Sequence, residues 1–311
     1  MQKEGLLMPL DPNKQLTTLT GARQTMMSWS KIIESREAVP EIYKTFFNAA
    51  PGETQEFPYT VLAPALDGFP RRTSEKLICY RDQTLYILER HSNRFSTLGY
   101  PVKTIQTVET GNVLLRSWVT ISGVTIEGIA ASTKVEFNAA VGERYFAPFL
   151  SKIRPAAIEL DETSHGVEQA KFDALAAANF KLMNMGRASL IRGEKIIQLV
   201  FQPEIRKRAG AFFGWVFYKT ITPAYLTILT DKEIVLVQEP ERGIGGSAAR
   251  YGCIQRYISL SNIRKITVNE QENNLLNLSI HLSQDKRVEK FFDLSTKQEM
   301  EQLWGEIEKL I

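Results

Sequence analysis

Hydrophobic and polar positions alternate in short runs along most of the chain, the period of half-buried strands. Leu77-Ile-Cys-Tyr-Arg-Asp82-Gln-Thr-Leu-Tyr-Ile-Leu88 and Leu226-Thr-Ile-Leu-Thr-Asp231-Lys-Glu-Ile-Val-Leu-Val237 each read as two strands around a short polar turn. Asp suits the start of that turn because its side chain accepts from backbone N–H groups ahead of it. The two stretches belong to an ordered series of matches. Pro51-Gly52-Glu53, with an apolar run ending near Pro64, parallels Arg192-Gly193-Glu194 and the run to Pro203. Pro101 to Val108 parallels Ser259 to Ile266, Leu114 to Ile121 parallels Leu275 to Leu282, and Lys134 to Asn138 parallels Val288 to Asp293. Five matches in one order indicate an internal repeat.

Each repeat then closes on an apolar-periodic segment. Met300, Leu303, Trp304, Ile307, Leu310 and Ile311 follow the i, i+3, i+4, i+7 spacing of an amphipathic helix. Trp304 is expected in its buried stripe, and Ser295 with Gln298 forms the pattern of a capping box. Phe146, Phe149, Leu150 and Ile153 mark the counterpart in the first repeat, which Gly142 and Pro148 are expected to shorten. Two further helices are predicted. One runs through Phe172, Leu175, Ala176 and Met183, and one through Ala22–Glu37 by way of Met26, Trp29 and Ile33. The first ~20 residues read as a poorly ordered terminus. The resulting division is 1–49, an N-terminal extension with a helix; 50–154, the first unit; 155–189, a linker and helix; and 190–311, the second unit.

Several short antiparallel strands closed by one C-terminal helix resemble the pleckstrin-homology superfold, and bacterial PH-like and GRAM-type domains in particular. Tyr225 to Val237, Tyr257 to Ile266 and the final helix carry the resemblance most clearly. It implies a mainly β fold with helices: two β-sandwich or barrel units, each capped by its helix, plus the N-terminal and linker helices. The superfold hosts lipid, peptide and protein binding alike, so it does not by itself assign a function.

Composition narrows the chemistry. The chain has 311 residues, 43% apolar and 23% charged, as in ordinary globular domains. Its net charge of +3 gives no general case for nucleic acid. Cys79 and Cys253 are too few for a disulfide framework or a four-cysteine zinc site. His91, His165 and His281 are scattered without ligand spacing. No metal, cofactor or catalytic residue is therefore expected. Glu4 and Pro9 interrupt any signal-peptide core. Ala209–Thr230 passes a crude length test for a membrane span, but Pro223 and the β-branched alternation from Tyr225 favour strands. The expected location is cytoplasmic, with reduced thiols, at or near the membrane periphery.

The most suggestive stretch is Ile205 to Lys219. It combines Arg206, Lys207, Arg208 and Lys219 with five aromatic residues, Trp215 among them. In the resemblance it joins the first two strands of the second unit, near where basic residues of phosphoinositide-binding PH domains hold the headgroup. Arg71 and Arg72 form a smaller echo in the first unit. Basic side chains would meet anionic headgroups and aromatic rings the interface. The plainer reading is a solvated turn with its aromatics packed on the neighbouring unit. Arg242 to Ser247 is glycine-rich but lacks the strand–loop–helix context of a phosphate loop. The expected function is a non-enzymatic binding or scaffold protein. Its partner would be another protein, a second copy of itself or anionic lipid. The alternative is an enzyme with a site between the two units.

Overall fold

The computed structural model describes residues 29–48, 56–68, 71–154, 162–213, 215–240, 251–271, 274–284 and 286–311. The protein is mainly β, built of antiparallel sheets with a few helices. In the N-terminal half, β1 (Lys31–Ile33), β2 (Thr60–Ala63), β5 (Lys76–Arg81), β6 (Thr84–His91) and β7 (Arg94–Pro101) form one sheet in that order. A two-residue ladder, β3 (Asp67–Gly68) and β4 (Arg71–Arg72), interrupts the step from β2 to β5. Then β8 (Ile105–Val113), β9 (Arg116–Val124) and β10 (Ala130–Asn138) follow, and helix α2 (Ala139–Ile153). A short helix α1 (Lys44–Asn48) lies between β1 and β2.

The C-terminal half repeats this succession. β11 (Ile196–Gln202), β14 (Tyr225–Thr230), β15 (Glu233–Gln238) and β16 (Cys253–Ser259) pair in order. A hairpin, β12 (Ile205–Phe212) and β13 (Trp215–Thr222), again interrupts the first step. A three-stranded sheet of β17 (Ile263–Gln271), β18 (Leu275–Leu282) and β19 (Arg287–Asp293) follows, then helix α5 (Lys297–Leu310). Leu77–Leu88 and Leu226–Val237 both occupy the second and third strands of their four-strand succession.

The halves are joined through the backbone. β8 pairs antiparallel with β16, from Ile258 opposite Thr107 to Cys253 opposite Asn112. One seven-stranded sheet, β10-β9-β8-β16-β15-β14-β11, therefore runs through both. Between them lie helix α3 (Glu162–Ala170), a 3-10 turn (Lys171–Leu175) and helix α4 (Ala176–Ser189), which packs on β14 and β15. Alternation was expected to bury one face of each strand; β14 and β15 are instead buried on both. Leu226, Ile228, Val235 and Val237 face the core shared with the N-terminal half, while Tyr225, Leu229, Ile234 and Leu236 face the core under α5. Covering both faces explains their nearly continuous apolar sequence. Gly186 permits the close approach of α4, because a Cβ there would lie 2.8 Å from Leu226 and 2.7 Å from Phe172.

Several local expectations are corrected. Within Ala22–Glu37, the described part forms no helix: Lys31–Ile33 is a strand that extends the β2 edge and buries Ile33. Residues 22–28, like the first 20, lie outside the described residues. α2 runs unbroken through Pro148, capped by the Asn138 side chain accepting from the Ala140 N–H at 3.0 Å. Gly142 does not interrupt it either; it makes room for the Phe137 ring, which a Cβ would meet at 2.1 Å. The 3-10 turn leading into α5 is capped by Asp293, which accepts from the Ser295 N–H at 2.9 Å, rather than by Ser295 itself. On α5, Met300, Leu303 and Ile307 are fully buried, whereas Trp304 is only half-buried at the margin of that core. The linker helix expected through Phe172, Leu175, Ala176 and Met183 is instead a 3-10 turn followed by α4; Phe172 and Met183 are buried, whereas Ala176 is exposed. Asn179 breaks α4 with extended backbone and caps the continuation through the Leu182 N–H.

Candidate functional site

The basic aromatic stretch is a β-hairpin rather than an open loop. Phe212 pairs with Trp215, Gly210 with Phe217, Arg208 with Tyr218, Lys207 with Lys219 and Arg206 with Thr220. Directly opposed residues share a face, and residues two apart along a strand share it too. Lys207, Lys219 and Phe217 therefore lie on one face, Arg208 and Tyr218 on the other. Neither face is buried: Arg206–Gly210 and Val216–Ile221 are exposed throughout. Phe213, at the tip, is 88% exposed with a positive φ of 46°. The expected packing of these aromatics on the neighbouring unit is therefore not what Phe213, Phe217 and Tyr218 do. The hairpin makes a sheet of its own and joins neither of the large ones.

Its electrostatics are uneven. Arg206 donates through Nε to Glu204 at 2.7 Å, and Thr220 donates to the same carboxylate at 2.7 Å. That partner holds the Arg206 charge more firmly, raising its pKa. Lys207 and Lys219 stand directly opposite each other across the hairpin. Trp215 opens β13 opposite Phe212. In the N-terminal half, Arg71 and Arg72 form β4, and Arg72 is exposed. The two basic clusters thus occupy corresponding insertions, between the first and second strands of each four-strand succession. The glycine-rich run of 242–247 lies outside the described residues.

The second feature is a cavity of about 500 Å³ between α2, the β8–β9 strands, β16 and α4. Trp118, Phe137, Phe146, Leu150, Met185 and Tyr257 form much of its wall. Its polar groups largely satisfy one another: Gln255 accepts from Tyr257 at 2.9 Å and Thr110 at 3.2 Å, and donates to the Met185 carbonyl at 2.9 Å. Arg154 reaches the wall but points its donors into the protein. Its Nε donates to Glu233 at 3.1 Å and its Nη2 to the Ser189 carbonyl at 2.8 Å, with Glu194 at 3.9 Å. The guanidinium also stacks 3.7 Å from the Tyr257 ring centre.

In this cluster burial, helped by the Glu233 charge, outweighs Arg154 and pushes the Glu194 carboxyl up to about 8. Glu194 Oε1 is buried with no hydrogen-bond partner among the described residues. Sequence reasoning missed the cluster because Arg154 reads as the last residue of the first unit, Glu194 as part of a repeat match and Glu233 as the edge of a polar turn.

Cys79 and Cys253 are buried free thiols, pushed up by burial to about 11 and about 12. His91 contacts Ser96 and His281 contacts Thr267, on different sheets. Among the described residues no group of three His, Cys, Asp or Glu is placed to hold a metal ion. Among them, too, no helix is long and apolar enough to cross a membrane. The Ala209–Thr230 segment is instead divided among β12, β13 and β14. No family model matches the chain, and no curated protein is similar to it.

Proposed function

We propose that the chain is a non-enzymatic binding protein of two pleckstrin-homology-like units, and that the β12–β13 hairpin is its contact with an anionic membrane surface. The repeated succession supports the architecture: four strands with an insertion after the first, three more strands, then a helix. The observation that carries the contact is the exposure of basic and aromatic side chains on both faces of one projecting hairpin. A two-stranded hairpin that makes a sheet of its own is only marginally stable in water, and a surface to rest on would steady it. An anionic surface attracts the basic side chains, and the interface accepts Phe213, Phe217 and Tyr218.

The enzymatic alternative draws on the cavity beside the Arg154 cluster. Glu194 and Glu233 turn toward Arg154, and among the described residues the cavity wall holds no Asp or Glu. The test of the membrane reading is co-sedimentation with vesicles of phosphatidylcholine alone or with phosphatidylserine in equal parts. Binding only to the second, weakening as salt rises, is the expected result. Self-association without vesicle binding would point to protein contact instead.

A further inference from the structure

We propose that the membrane-facing surface is a whole end of the seven-stranded sheet, with the Leu114–Leu115 turn as a second apolar anchor beside the hairpin. This rests on the membrane reading of the hairpin and extends it. A continuous row of cross-strand partners crosses the sheet near this end: Gln202, Tyr225, Gln238, Ile254, Gly111, Trp118 and Glu136. Just past that row the hairpin leaves between β11 and β14, and the chain reverses at Leu114–Leu115 between β8 and β9. The two points are four strand spacings apart, about 19 Å along the sheet.

Both turns place a large apolar residue at positive φ. Two-residue hairpin turns favour Asn and Gly, which accept positive φ readily. Here Leu114 has a φ of 54° and Phe213 a φ of 46°. Leu114 and Leu115 are 62% and 63% exposed. Leu114 thus forgoes both local backbone preference and burial at this end of the seven-stranded sheet, and Phe213, beside Gly214, is exposed at the tip of the hairpin that leaves from the same end. Exposed Phe180 adds to this end, because its neighbour Lys181 pairs with Glu239, directly after β15. Among the described residues at this end, Glu136, Glu204 and Glu239 are ion-paired with Arg116, Arg206 and Lys181, while Asp293, whose N–H donates to Gln202, accepts from the Ser295 N–H. At the opposite end, the β9–β10 turn exposes Ile129 close to Glu127.

The test places a single environment-sensitive fluorophore through Leu115→Cys, Phe213→Cys or Ile129→Cys. Cys79 and Cys253 do not compete for the label, being buried with raised thiol pKa values. With phosphatidylserine-containing vesicles the labels at 115 and 213 are expected to brighten and shift to the blue, and the label at 129 to stay as in buffer. In the unlabelled protein, replacing Leu114 and Leu115 together by Ser is expected to weaken vesicle binding by about tenfold or more, from the lost burial of two leucines. A response at 213 without one at 115 overturns the second anchor and leaves the hairpin contact intact. An equal response at 129 overturns the oriented surface. Absence of vesicle binding by the unlabelled protein removes the reading on which the proposal rests, and the proposal with it.

Discussion

Arg154 Nε donates to the Glu233 carboxylate at 3.1 Å, tying the end of α2 in the N-terminal half to the start of β15 in the C-terminal half. The Arg154 side chain is only 7% exposed and that of Glu233 1%. Burial opposes the Arg154 charge, and Glu233 more than restores it, leaving its pKa above the usual value. Removing one partner strands the other charge in the interior. Arg154→Met is therefore expected to cost about 3–5 kcal/mol in urea unfolding. Adding Glu233→Gln should recover part of that loss.

Glu194 gives a pH signature. Its folded pKa of about 8 lies above the ordinary glutamate value of 4.5, so between the two the folded state holds a proton that the unfolded state releases. The associated stability is fully present below 4.5 and is lost as pH rises through 8. Unfolding free energy should fall across that window, by at most about 1.4 kcal/mol per pH unit. Glu194→Gln, neutral throughout, should flatten the slope. An unchanged slope in that variant would show that another group titrates.

Gly111 underlies the Trp118 ring: a Cβ at 111 would sit 2.1 Å from Trp118 Cζ2. Gly111→Ala must displace a side chain that is 2% exposed. A loss of roughly 1–3 kcal/mol is expected from overpacking, with a changed tryptophan emission spectrum as the second readout.

On the hairpin, replacing Arg206, Lys207 and Arg208 together by Ala should leave the melting temperature nearly unchanged, since exposed charges contribute little to folding. At about 1 kcal/mol per basic residue near an anionic surface, vesicle binding should fall roughly 100-fold at low salt. Trp215→Ala should weaken binding with less effect on its salt dependence. A triple variant that binds like the wild type would refute the electrostatic contribution.

Leu303→Ala should cost about 2–5 kcal/mol, because Leu303 is wholly enclosed under α5. Trp304→Ala should cost less, because Trp304 packs at the margin of that core. A larger loss for Trp304 would reverse the assignment of which face of the helix is the plug.

What the sequence made legible was local. The Asp82 and Asp231 turns, the alternating strands and the Met300, Leu303 and Ile307 positions of the α5 stripe are all encoded within a few residues and lie where the periodicity put them, while Trp304 is half-buried and Leu310 and Ile311 are exposed. The basic aromatic stretch was also recognisable from composition, but its pairing was not. Gly210 and Ala211 weaken the strand signal, and only the register with Val216 and Phe217 shows that β12 is a strand. The helix expected at Ala22–Glu37 failed at Ile33 because an available β2 edge outweighed a weak local periodicity. Arg154, Glu194 and Glu233 were invisible as a set, since residues 40 and 39 positions apart in sequence meet only through the packed interface.

The β8–β16 pairing has a practical consequence for dissection. Each of these strands satisfies its outer N–H and C=O groups through the other, over Thr107–Asn112 and Cys253–Ile258. A fragment ending near Arg154, or one starting near Leu190, would present a raw strand border with its ladder groups unpaired. Such borders template intermolecular pairing. Either fragment produced alone is thus a candidate for self-assembly through that border, and co-expressing the two should restore solubility by complementation.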